Sequence, residues 1–557
     1  MRVLGKSLCL DGQQRRQPAP PAAADKASPL DAAAVSLMAS PASHDADDEV
    51  SKQPPPLPPR NRQERSLSTK RILWLVIGGG LSLLFGCLSL IWTPFDIMMN
   101  ERLKMMPGLP PFEWWKTPPD EVLLRVRVFN ITNSEEFMAG DDDKLKVDEI
   151  GPYVYLERLR HHNVTHHDNN TMTYTGVRSP HWLPEKNTLS LNDTIIVPNI
   201  AVLGIASYLQ DTSFLIKWGY NILMRRLDSQ PFVKTTVYNY FWNFTDPVLH
   251  FAQTVVPNLV PVTNIGILHM IYSDFRDNVT VFIGPENARR FFTMDQFHGS
   301  PRFGYWSGEK CDAVAGATEG VVYPQYLTKN DTLKYFRKTI CRITPIYYAG
   351  DVTRDGVSAF RFELPGETYD RPSNPEEECY RAPGTPLLPS GLTDISPCYH
   401  DFPIAASHPH FYSAETKLLD AVEGLTPNKE LHGSFAVVEP ITGIPMESCA
   451  RSQSNLIIRR LSGMPKLQRF SDIAVPMFWA EYHQVSLPGY IYYLMYFTVN
   501  ILPELQLWMS FFMTTLGGSA FILGVTAVIF NRRRTTHKPK CAYSSLDLMP
   551  STSSSEC

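Results

Sequence analysis

The sequence predicts a mainly β fold with inserted α-helices, largely antiparallel, held between two transmembrane helices. Three observations predict it: charge-free apolar stretches at 72–92 and 507–530, seven N-glycosylation triplets that all fall between them, and strand-type alternation in the intervening chain. The division that follows is a cytosolic tail at 1–71, a first span at 72–92, an extracellular or lumenal domain at 93–506, a second span at 507–530 and a second tail at 531–557.

Each apolar stretch is long enough to cross roughly 30 Å of hydrocarbon as a helix, which satisfies its own backbone hydrogen bonds. Arg60, Arg62, Arg65, Lys70 and Arg71 precede the first, and Arg532, Arg533, Arg534, Lys538 and Lys540 follow the second. No Lys or Arg occurs from Phe470 to Asn531, so the positive-inside rule puts both termini in the cytosol. The polar start of the chain, with Arg15 and Arg16, lacks the apolar run of a cleavable signal, and the first span is expected to serve as an uncleaved anchor. Gly78, Ser82 and Gly86, four apart, would let another helix approach closely.

Asn130, Asn163, Asn169, Asn192, Asn243, Asn278 and Asn330 each open an Asn-X-Thr triplet, on the side that the charge rule assigns to the glycosylation machinery. Cys311, Cys341, Cys379, Cys398 and Cys449 share that oxidising side, where pairs should close. Their spacing does not choose among two-bridge arrangements, and without a Cys-x-x-Cys it speaks against a zinc ribbon or redox motif. The formal charge of -4 over 557 residues provides no general basic field for nucleic acid.

The first tail is rich in Pro, Ala, Ser and Asp, a composition that cannot repay chain entropy by apolar burial and reads as disorder. Within it Pro54 to Arg60 fits a polyproline ligand for an SH3 groove, although a plain spacer is the simpler reading. In the other tail Tyr543 and Leu546 fit the Tyr-x-x-hydrophobic form that sorting adaptors read, and Cys541 is placed for acylation.

Between the spans, alternation marks strands at 121–130, with Val122, Leu124, Val126 and Val128 on one face, at 153–159 and at 357–364. A long apolar segment from Asn199 to Arg226, punctuated by Pro198 and Pro231, reads as helix, and a second helical region begins at Val237 and continues beyond Pro247.

Several segments then carry a family likeness. Val147-Asp148-Glu149-Ile150-Gly151-Pro152-Tyr153-Val154-Tyr155, Tyr305-Trp306-Ser307-Gly308 before Cys311, Thr339-Ile340-Cys341-Arg342, Asp394-Ile395-Ser396-Pro397-Cys398 and Glu439-Pro440-Ile441-Thr442-Gly443-Ile444-Pro445-Met446 resemble the class B scavenger receptors, the CD36 family. The likeness runs from about Trp92 to Phe530, and the segments near Trp114 and Asp141 give it the look of insect members. It implies an antiparallel β-barrel ectodomain with an apical helical bundle and an apolar tunnel toward the bilayer. The implied function is a scavenger receptor that takes lipids, lipoproteins or lipid-bearing particles at the apex and transfers lipid through the tunnel, without a cofactor. It implies bridges Cys311–Cys379 and Cys341–Cys398, while Arg381 and Leu387 stand where a third bridge of the vertebrate fatty-acid receptor would be. It makes the plasma membrane the expected location, with a lysosomal or endosomal trafficking receptor as the alternative. A sixteen-carbon chain leaving water gains on the order of 12 kcal/mol at about 0.8 per methylene, which is the physical need for a lined conduit.

Lys217, Arg225 and Arg226 are the candidates for attracting anionic lipid or lipoprotein surfaces, against the plainer reading of solvated charges at a helix end. His161, His162, His166 and His167 flank the Asn163 triplet; they offer a zinc or pH-sensing set, but a solvated hairpin tip is the default, and no metal site is expected. Catalysis is not expected, since no nucleophile elbow, His-Glu-x-x-His or phosphate loop is present. An ion-channel subunit is the rival from another class, opposed by a second span without any ionisable residue.

Overall fold

The computed structural model describes residues 68–536, apart from 120–121, 259, 274, 375–377 and 383–384. The chain falls into two units, Met1–Ser66 and Leu67–Cys557. The first lies outside the described residues and with it Pro54 to Arg60, as do Cys541, Tyr543 and Leu546 at the other end.

The first apolar stretch forms helix α1, Thr69–Ile91, followed by two short helices, α2 at Pro94–Leu103 and α3 at Pro110–Lys116. Proline at the start of α2 and α3 sets the helical φ where no amide donor is needed. The second apolar stretch lies within a continuous helix of 46 residues, Gly489–Arg534, which starts well before the expected 507. Its early turns carry Ile491 and Met495, both buried, and Met495 packs with the barrel residues Val357, Ala359, Val437 and Met446. Hydropathy alone could not see that extension, because Glu504 and Gln506 interrupt the apolar run although the helix continues through them.

The spans pack on each other. A Cβ built on Gly86 would meet the Thr514 backbone at 2.8 Å, and Ser82 Oγ donates to the Met513 carbonyl at 3.2 Å. Gly78, expected on this face, has nothing within 4 Å of a built Cβ; its neighbour Gly79 makes the close approach instead. The helix turn of 3.6 residues rotates a strict spacing of four off the seam, and 79, 82 and 86 stay on it.

The chain between the two long helices builds, among the described residues, a fifteen-stranded sheet, twelve of whose strands run in one path. They are β1 (Val122–Ile131), β2 (Leu145–His167), β3 (Thr171–Trp182), β4 (Arg276–Phe282), β5 (Met294–Phe297), β6 (Ala317–Thr318), β7 (Thr332–Arg337), β8 (Arg342–Arg354), β9 (Val357–Glu363), β10 (Phe435–Val438), β11 (Pro445–Ile457) and β12 (Ala474–Gln484). The order is β5-β4-β3-β2-β1-β12-β11-β10-β9-β8-β7-β6, antiparallel except for the last pair. It is nearly closed and barrel-like: rings from the two ends meet where Phe297 of β5 lies 5.3 Å from Phe336 of β7, with Phe303 stacked on Phe336 at 4.2 Å. The expected face of β1 is buried at Leu124, Val126 and Val128.

The long helical segment is broken in two, α4 at Ile200–Tyr208 and α5 at Phe214–Arg226, and is followed by α6 (Val237–Trp242), α7 (Pro247–Val255) and α8 (Ile267–Tyr272). Asn199 caps α4 and Asp246 caps α7, and Asn199 Nδ2 donates to Asp246 Oδ2 at 2.8 Å, which ties the two helix starts together. The largest apolar cluster joins these helices to β1 and β12.

Candidate functional site

Two cavities lie in the domain between the two long helices. One, about 790 Å³, is bounded by the barrel interior and by Ile491, Leu494 and Met495 at the head of the second long helix. The other, about 610 Å³, lies among α4, α5, α7 and α8 and reaches Met477, Phe478 and Ala480 of β12. Arg337, Thr339 and Tyr482 line both. Arg337 ends β7; its Nε donates to Thr339 Oγ1 at 3.1 Å and its guanidinium lies 5.1 Å from the Tyr482 ring centre. Tyr482 stands directly opposite Ala450 of β11, so both side chains share one face. The side of the junction is polar and well paired: Arg178 bonds Glu157 at 3.0 Å, Tyr272 donates to Glu157 at 2.6 Å, and Lys338 bonds Asp277 at 2.6 Å.

The three expected cations separate. Arg225 and Arg226 are exposed at the end of α5, whereas Lys217 is buried, with Nζ 3.4 Å from Ser462 Oγ. Lys217 therefore departs from the expected exposed set, because its turn of α5 packs on the loop carrying Ser462 and Gly463. Sequence reasoning passed over Phe214, Leu215 and Trp218, exposed by 68%, 74% and 56% on the same helix. The signal was available, since α5 is apolar on more than the one stripe that a core contact needs.

The four histidines also separate. His161 is buried, stacked on Trp115 at 4.2 Å with Nδ1 2.7 Å from the Trp115 carbonyl, so the expectation of a wholly solvated tip fails for it. The tip itself is the turn after His167, whereas His161 keeps the phase of Tyr153, Tyr155 and Glu157 on the buried face of the strand, ahead of the register shift between His162 and Thr165. Of the others, His166 meets the Met105 carbonyl at 2.9 Å, while His162 and His167 are exposed.

Cys311 pairs with Cys379 and Cys341 with Cys398, the two bridges that the likeness implies. Arg381 and Leu387 stand apart from them in the chain without forming a third. Cys449 is free and buried, and burial pushes its thiol up to about 12. Its sulfur, Glu481 and His483 bring potential ligand atoms together. That set does not suit a cation: Arg125 and Arg451 already hold the Glu481 carboxylate at 2.5 and 2.7 Å. Among the asparagines that open the seven triplets, Asn163, Asn169, Asn192, Asn243 and Asn330 are exposed; Asn130 and Asn278 are half-buried in strands, and Asn130 Oδ1 accepts from the Ile196 amide at 2.8 Å.

The model of the CD36 family matches residues 76–528. Scavenger receptor class B member 1 of Mus musculus is 29% identical over 465 residues, which cover 82% of this chain and 90% of that protein. The Cricetulus griseus protein of the same name is 28% identical over 463 residues, 82% and 89% of the two chains. Lysosome membrane protein 2 of Homo sapiens is 27% identical over 388 residues, 69% and 79% of the two.

Proposed function

The chain belongs to the CD36 family, and from that premise we propose that it is a glycosylated lipid receptor of the membrane, with both termini cytosolic. It takes lipid or lipoprotein at the helices α4, α5 and α7 and passes single lipid molecules through the barrel toward the bilayer. One observation carries this reading: two largely apolar cavities, one among those helices and one reaching the head of the second span, share Arg337, Thr339 and Tyr482. An acyl chain that moves along them avoids the cost of water, about 0.8 kcal/mol per methylene.

The test is Ala450→Trp. Ala450 lines the span-side cavity and faces Tyr482 across the ladder, so an indole there fills the passage at its junction. Expected is normal surface display and normal lipoprotein binding, with uptake of a labelled cholesteryl ester or fatty acid reduced by roughly tenfold or more. Uptake equal to wild type, with binding equal as well, overturns the passage.

A second reading within the family has its own support in the likeness to lysosome membrane protein 2. It is a trafficking receptor of lysosomes or endosomes, sorted through Tyr543 and Leu546. Tyr543→Ala distinguishes the two: retention at the cell surface supports sorting, and unchanged distribution removes the motif. SH3-domain and adaptor partners of the tails belong to the same proposal.

A further inference from the structure

We infer that Arg337 is a head-group anchor inside the passage, and that the site takes a lipid with an anionic head, its carboxylate or phosphate on the guanidinium and its chain in one of the two cavities. The inference rests on the passage proposed above and adds what it selects.

Arg337 is 6% exposed, and its Nη2 has no hydrogen-bond partner. Among the described residues no carboxylate forms an ion pair with it. Phenol rings surround it instead: besides the Tyr482 contact, its charge acts on Tyr369 and Tyr399. Guanidinium does not give up its proton in a protein, so the charge persists. A buried cation without a counter-charge is destabilising, and an apolar residue at this position would be less so. The neighbouring cations show that the fold supplies carboxylates here when the charge is structural, since Arg178 has Glu157 and Lys338 has Asp277. Arg337 alone of the three is left open, and it is the one that lines both cavities. An amphiphile resolves the imbalance. Its anionic head forms a charge-assisted, bidentate pair with the guanidinium, and its chain lies against Met477 and Phe478 on one side or Ile346 and Leu364 on the other.

The probes are oleate, oleyl alcohol and 1-oleoyl lysophosphatidate, each with the same chain, measured for binding to the full-length glycosylated protein in detergent after delipidation. Wild type is expected to bind oleate, lysophosphatidate or both about tenfold more tightly than oleyl alcohol. Preference for oleate alone assigns a carboxylate, and preference for lysophosphatidate alone assigns a phosphate. In Arg337→Leu the preference disappears while oleyl alcohol binds as before; Arg337→Gln carries the same comparison should the leucine variant not fold. Wild type that binds all three equally, or a preference that survives in either variant, overturns the anchor and leaves the passage standing. Failure of every probe to bind overturns both.

Discussion

Gly79 of the first span and Gly517 of the second sit back to back: a Cβ on Gly79 would lie 2.6 Å from the Phe521 amide nitrogen, and one on Gly517 would lie 2.5 Å from that of Leu83. Backbone cannot yield to such contacts as a flexible side chain does, so the seam needs glycine on both sides. Gly79→Leu is expected to separate the spans and cost roughly 1–3 kcal/mol. Gly78→Leu, which meets nothing within 4 Å, is expected to be silent. Thermal melting of the two variants in detergent decides, and equal melting points would contradict the seam.

Glu481 is held by a cross-strand triad. Arg125 of β1 and Arg451 of β11 stand directly opposite it on either side, so the sheet register itself delivers both guanidinium groups. Although burial pushes its carboxyl upward, the hydrogen bonds and charge of Arg125 and Arg451 hold it at about 2. Glu481→Ala leaves two half-buried cations facing each other, and the expected loss is about 3–5 kcal/mol. Glu481→Leu with Arg125→Met and Arg451→Met should recover much of it, as measured by urea unfolding. Equal stability of wild type and Glu481→Ala would show that the triad contributes nothing.

Acid should loosen the fold. Burial lowers His161 to about 3 and His408 to about 4, with the nearby charges of Arg178 and His162 adding to the first and Arg342 to the second, while Glu367 opposes there. Burial also lowers His432 to about 4, helped by His410, Arg451 and Arg127 and opposed by Glu149. A histidine depressed in the fold takes up its proton first in the unfolded chain, whose value is near 6.5. Stability is therefore full above that value and falls as pH drops toward the folded value. Each such imidazole costs about 2 kcal/mol between pH 7 and pH 5. His161→Phe keeps the stack on Trp115 and should flatten the fall by one group. A melting temperature that does not change from pH 7 to pH 5 would refute the assignment. The same measurement bears on location, since a lysosomal receptor must absorb this loss.

What could be read beforehand follows from which forces are local. The face of β1 and both spans were legible because alternation at Leu124, Val126 and Val128 and charge-free length are properties of a segment by itself. His161 was legible too, since it falls in phase with the buried Tyr153, Tyr155 and Glu157, but the polar run from His162 to His167 drew it into the reading of a solvated tip. Arg337 was not, because period two tells which residues share a face, and whether that face meets packed core or open space depends on strands far away in sequence. At α5 the charges drew attention that the apolar residues deserved: Lys217 turned inward while Phe214 and Trp218 stayed out.

That reversal leads to a prediction about how particles are held. Exposed charges such as Arg225 and Arg226 act through water, and with a screening length of about 8 Å at physiological salt they are expected to guide approach more than they hold. Phe214, Leu215 and Trp218 can insert into a lipid surface, each side chain contributing about 1.5–3 kcal/mol if fully withdrawn from water. Changing all three to Ser is expected to abolish binding of lipoprotein or phosphatidylcholine vesicles at any ionic strength. Arg225→Glu with Arg226→Glu should slow association with anionic vesicles, and the defect should shrink as salt rises. Vesicle flotation and association rates from low to high salt separate the two. Should the serine variant, displayed normally, bind as wild type does, α5 is not the docking element, and the exposed apolar surface of α7 at Phe251 and Val255 becomes the one to change next.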